Sequence, residues 1–202
     1  MNPSQSPASP ITALDASALS LAIHSKQVSC REVMQAYLDR IADLNPRFNA
    51  IVNLQHSDLL LRQAAERDAQ LARGESMGWM HGMPQAVKDL CNTAGIATTQ
   101  GSPLLRHFVP AQDGLLVQRM KAAGCIVIGK TNTPEFGLGS HTFNEVFGVT
   151  RNAYEPSRSA GGSSGGAAVA LALRLLPVAD GSEFMGIKET ISLAHKKVGM
   201  EK

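Results

Sequence analysis

Leu115-Leu116-Val117-Gln118-Arg119-Met120-Lys121-Ala122-Ala123-Gly124-Cys125-Ile126-Val127-Ile128-Gly129 is the stretch whose reading decides the fold. Leu115 to Ala123 has the composition of a helix, and Gly124 ends it. Cys125 to Ile128 is a short apolar run between two glycines, as expected of a strand buried on both faces. Helix, glycine, buried strand, loop is the order of an α/β fold.

Upstream, Pro84 leads into a strand over Gln85 to Lys88. Before it lies an alanine-rich helix, Asp58 to Arg73, with Gly74 as its terminal glycine. Ala50 to Leu54 is a short strand candidate. Ser29-Cys30-Arg31-Glu32 spells a capping box, and Val33, Tyr37, Ile41 and Leu44 follow at helical spacing. Asn45-Pro46 is expected to end that helix. Ala16 to Lys26 reads as a first helix capped by Asp15. Downstream, a long loop from Gly129 to Gly162 precedes an apolar helix, Gly165 to Leu176. Pro177 to Ala179 is expected to form a last strand entering Asp180-Gly181-Ser182. There is no internal repeat.

Composition narrows the function classes. The chain has 202 residues, a 44% hydrophobic share and a net charge of +2, with no basic run longer than two residues. That argues against an electrostatic nucleic-acid or membrane surface. Aromatics make up 4%, too few for base-stacking platforms. Cys30, Cys91 and Cys125 are odd in number and widely spaced, which fits reduced core thiols. His24, His56, His81, His107 and His141 lack metal-ligand spacing, so neither metal nor cofactor is expected. His81 reads as a loop residue. Met1 to Pro10 is Ser/Pro-rich without the parts of a signal peptide, and no apolar run reaches membrane-spanning length. A cytoplasmic location is the expectation.

Chemistry concentrates in Arg158-Ser159-Ala160-Gly161-Gly162-Ser163-Ser164-Gly165-Gly166. Glycines around two serines permit close approach of a substrate, and the segment opens a helix whose free N–H groups favour developing negative charge. Composition alone equally fits a flexible loop. A phosphate-binding loop would need Lys-Ser/Thr after its second glycine, where Ala167 and Ala168 stand. The hydrolase elbow G-x-S-x-G matches around Ser163 or Ser164. That elbow requires a preceding strand and a downstream acid and histidine, and the only later histidine is His195.

Gly161-Gly162-Ser163-Ser164-Gly165-Gly166 with its alanine-rich helix resembles the core of the amidase signature family. So do Gly82-Met83-Pro84-Gln85-Ala86-Val87-Lys88-Asp89 and Gly129-Lys130-Thr131-Asn132-Thr133-Pro134-Glu135-Phe136-Gly137, in the family's order. The resemblance runs from about Ala16 to Gly186. It implies a partial amidase-signature fold of the α/β class, a mixed β-sheet flanked by helices and truncated C-terminally. Residues 1–13 would be a flexible start, 14–186 the N-terminal part of the amidase domain and 187–202 an unrelated tail. Leu176 to Ser182 looks most like stand-alone bacterial amidases and less like the A subunit of tRNA-dependent amidotransferases.

The family uses a Ser–cis-Ser–Lys triad. The matching base is Lys88, which must be neutral part of the time and so needs a pKa lowered by burial. Residue pattern alone would pair it with Asp89. The matching bridging serine is Ser163, preceded by a cis peptide, with Ser164 in support. Asn132 and Arg158 match motif positions as loop braces. The backbone of Phe184, Met185 and Gly186 matches the oxyanion hole. The nucleophilic serine is expected at the position of Ile187, where the resemblance stops. Ser182, five positions earlier, reads as pointing elsewhere on the turn. A frameshift, a disrupted gene or deliberate engineering would each account for the break. The implied activity is hydrolysis of a small-molecule amide, lost in this chain for want of the nucleophile. The alternatives are a non-catalytic fragment or an amidotransferase A subunit. Strands lacking their family neighbours would favour oligomerisation or aggregation.

Overall fold

The computed structural model describes residues 9–182. Expectations for residues 1–8, for Phe184, Met185, Gly186 and Ile187, and for the tail at 187–202 lie outside the described residues.

The chain begins with α1 (Pro10–Ala13), capped by the Ser9 side chain and packed on the third helix. These residues belong to the expected flexible start, but Thr12 is buried and the short helix is formed. Next come α2 (Ala16–His24), with Asp15 accepting from the Ala18 N–H, and α3 (Cys30–Phe48), with the Ser29–Glu32 capping box complete. Pro46 does not end α3. Proline removes one N–H and leaves the neighbouring bonds, so the last turn closes at Asn49, whose φ of 52° is left-handed. The Asn45 carboxamide accepts the N–H groups of Ala50 and Ile51 and so turns the chain into the next strand.

Three strands build the central sheet: β1 (Ile51–Val52), β2 (Pro84–Lys88) and β3 (Ile126–Thr131), in the order β1-β3-β2. β2 runs parallel to β3 and β1 antiparallel to it, so the sheet is mixed. β3 is buried at all six positions, as the glycine-bounded apolar run requires. Helix α4 (Ser57–Ala72) follows β1, and α5 (Leu115–Ala122) makes the crossover from β2 to β3.

Side chains of β2 and β3 alternate between two cores. One holds Ala86, Ile126 and Ile128 with α3, Leu60 and Ala64 of α4, and Val169 and Ala170 of the last helix. The other holds Val87, Val127 and Cys125 with Val117 of α5. The sheet is therefore a layer between helices.

The long loop after β3 contains a small hairpin of β4 (Phe143–Asn144) and β5 (Gly148–Val149). It leads to α6 (Gly165–Ala172), shorter than its composition suggests. Arg174 takes a left-handed φ of 57°, and the Leu175 N–H closes on the Ala170 carbonyl. The turn directs Leu175 and Leu176 into the core instead of along the helix. Residues 177–179 do not form the expected strand. Pro177 has no N–H to donate, and the segment meets β2 through the Asp180 carboxylate, which takes the Lys88 N–H at the sheet edge. No helix of the described residues is long and apolar enough to cross a membrane.

Candidate active site

Lys88 is the last residue of β2 and is 1% exposed. Its register partner Thr131 ends β3. The side chain points toward the N-terminus of α6, where its Nζ lies 2.9 Å from both Ser163 Oγ and Ser164 Oγ. A third hydroxyl, Ser182 Oγ, lies at 2.8 Å. An ammonium would donate one hydrogen to each oxygen; a neutral amine would donate two and accept the third proton. The cluster can therefore pass a proton between a hydroxyl and an amine.

The serines differ in exposure. Ser164 is buried; its Oγ accepts the Ser182 N–H at 3.3 Å and donates to the Ser182 carbonyl at 3.4 Å. Ser163 is half-buried and Ser182 exposed, so the cluster opens to solvent over these two. The Gly162–Ser163 peptide bond is cis. The Ser163 carbonyl accepts from Thr133 Oγ1 at 3.1 Å, and the Gly162 N–H donates to the Ser140 carbonyl at 2.8 Å.

The flanking glycines make room for protein backbone. A Cβ on Gly166 would sit 2.3 Å from the Asn132 nitrogen, and one on Gly165 would sit 2.1 Å from Thr142 Oγ1. Their absence lets α6 start against the end of β3, with the Gly166 N–H donating to the Asn132 carbonyl. The sequence pattern suggests substrate approach for these glycines; at Gly165 and Gly166 the space is filled by the chain itself.

Buried charge surrounds the lysine. Asp89, the residue-pattern partner for Lys88, instead accepts from the Thr99 N–H and hydroxyl. Burial raises the pKa of Asp89 and of Asp180, against the bond from Thr99 Oγ1 in the first case and from the Lys88 N–H in the second. Lys130 is wholly buried and donates to the Cys91 carbonyl and to Thr93 Oγ1.

The remaining motif residues brace loops. Asn132 is buried, donates to Thr150 Oγ1, and accepts from Asn144 and the Thr133 N–H. Arg158 acts through its backbone, accepting the Asn152 N–H. His81 lies in the loop before β2 but is buried: Nδ1 accepts the Met77 N–H, so Nε2 carries the proton donated to the Arg67 carbonyl. Ser182 needs correction, since it points into the Lys88 cluster and not away from it. Counting along a turn does not reveal that Asp180 anchors the turn to β2. A carboxylate two residues before a serine was the only available signal.

Comparison with known proteins identifies the family. The Amidase family model matches residues 32–186. Over 161 residues the chain is 45% identical to the glutamyl-tRNA(Gln) amidotransferase A subunit of Thermosynechococcus vestitus, covering 80% of this chain and 33% of that protein. Among solved structures, the native peptide amidase of Stenotrophomonas maltophilia superposes with a TM-score of 0.77 at 38% identity, over 84% of this chain and 36% of that one. A fatty acid amide hydrolase superposes at 0.81 with 26% identity, over 86% and 30%. The chain thus spans about a third of the length of the relatives it matches. With the three motifs, the fold and the family match in agreement, the chain belongs to the amidase signature family.

Proposed function

We propose that this chain carries the base and the bridging serine of a serine amidase, which cleaves a carbon–nitrogen bond in a small amide. The observation that carries the reading is the contact of the buried Lys88 amine with Ser163 Oγ at 2.9 Å. In the proposed reaction neutral Lys88 takes the Ser163 proton while Ser163 takes one from the nucleophilic hydroxyl. The nucleophile oxygen bonds to the carbonyl carbon, the C–N bond breaks, and the relay returns a proton to the departing amine. Water then releases the acyl group by the same route. Ser164 and Ser182 hold Lys88 in line, and the backbone of Phe184, Met185 and Gly186 would bind the oxyanion.

Ile187 stands at the nucleophile position and offers no oxygen. The chain by itself is therefore proposed to be inactive, and its exposed apolar side chains, such as Leu104, Leu138 and Phe143, to favour self-association. The name of the sequence relatives supports a second reading, an amidotransferase A subunit working with partner subunits. It would use the same residues. Hydrolysis of small amides without partners separates the two.

The test is covalent labelling. With a fluorophosphonate probe the chain should give no adduct by mass spectrometry, and no turnover on a panel of aryl and aliphatic amides. Ile187→Ser alone should not restore turnover. An adduct on Ser163, Ser164 or Ser182 that is lost in Lys88→Ala would show that a serine of this cluster is itself the nucleophile.

A further inference from the structure

Lys130 is a second buried lysine, and the relay just proposed does not use it. The register places it opposite Val87, so by strand alternation it lies on the other face of the sheet from Lys88. Val87 belongs to the core under α5, while Ala86 belongs to the core under α6. Asp89 follows Val87 by two residues, so it shares the Lys130 face. Asp180 lies at the β2 edge between the faces, where both its oxygens are 3.1 Å from the Lys88 nitrogen. Among the described residues, Cys91 in the loop beyond β2 and Asp180 after α6 act electrostatically on Lys88, and Lys130 on β3 acts in turn on Asp180, on Cys91 and on Asp89 at the strand end.

A base must stand neutral, and a carboxylate beside it opposes that by holding its proton. In a site of low polarity such interactions are poorly screened. With both carboxylates ionised and Lys130 charged, Lys88, Lys130, Asp89 and Asp180 sum to zero while Lys88 keeps its proton and to one negative charge once it is lost. Without Lys130, the same loss would leave two uncompensated carboxylates. We propose that Lys130 is a positioning residue for the base: its ammonium, tethered to the Cys91 carbonyl and Thr93 hydroxyl, offsets Asp89 and Asp180 from behind the sheet and lets the Lys88 amine stand unprotonated. Burial lowers the pKa of Lys130, but Asp89, then Cys91 and Asp180, act against that and favour its charged form. The inference rests on Lys88 acting as the base.

The test reads protonation and needs no turnover. The chain is labelled with lysine carrying 13C at Cε, and the Lys88 signal is assigned by its loss in Lys88→Met. Lys130→Met should move the Lys88 titration midpoint upward, and Asp180→Asn should move it downward. Should Lys130→Met unfold the chain by stranding Asp89, Asp89→Asn and Asp89→Asn/Lys130→Met make the same comparison, and adding Lys130→Met should again raise the midpoint. An unchanged or lowered midpoint on removing Lys130, in whichever background folds, overturns the proposal. Failure of the relay itself would look different: the Lys88 signal would not respond to Ser163→Ala.

Discussion

Lys88 is held by what surrounds it more than by its own strand. Three hydroxyls meet its Nζ, and a carboxylate takes its backbone N–H. The fit depends equally on atoms that are missing. Gly166 lets α6 start against Asn132, and a methyl there would meet backbone atoms, which cannot rotate away. Gly166→Ala should therefore cost about 3 kcal/mol or more in urea unfolding, an overpacking penalty at its upper end. Gly74→Ala provides the contrast. Gly74 has a φ of +80° with nothing within 4 Å of the added Cβ, so only the left-handed backbone is penalised, by about 1 kcal/mol. Equal losses at the two sites would contradict the claim that Gly166 is needed for packing.

The helices that carry the first core are joined by a cap that the sequence does not display. Ser29 and Glu32 close the capping box of α3, as their spacing predicts. The first-turn N–H groups of Cys30 and Arg31 are taken by Asp68 of α4, at 2.7 and 3.1 Å. Asp68→Ala should cost about 2 kcal/mol in chemical denaturation, since it strands two amides that now bond to a charged acceptor. A loss no larger than an exposed-surface change would show that this cap does not stabilise the helix pair. The same contrast explains what could be read in advance. The apolar run at Cys125 to Ile128, the Ser29–Glu32 spacing and the glycines at 74 and 124 each act locally, and the elements they predict are present. Pro46, the last turn of α6 and residues 177–179 depart from expectation because bonds that no helix or strand pattern displays decide them. The Asn45 carboxamide carries the chain past Pro46 into β1, the Arg174 turn buries Leu175, and Asp180 meets Lys88 where a ladder bond was expected. Lys88 and Ser163 were legible through motifs, whereas Ser182 and the Asp89–Lys130–Asp180 charges meet only after folding.

Across the molecule, a helix-covered mixed sheet brings β2 to α6 and joins residues 75 positions apart into one proton-transfer cluster. The matched part of this chain covers about a third of the relatives with this fold. In the proposed function this chain supplies the base and relay, and the nucleophile is a serine absent at position 187. The most direct measurement replaces Ile187 to Lys202 with the corresponding continuation of the Stenotrophomonas maltophilia peptide amidase and follows amide hydrolysis. Turnover is predicted to appear in the graft and to fall about a thousandfold in both Lys88→Ala and Ser163→Ala, the scale of a lost acid–base relay. A folded graft with no turnover, or turnover that survives either substitution, would contradict it.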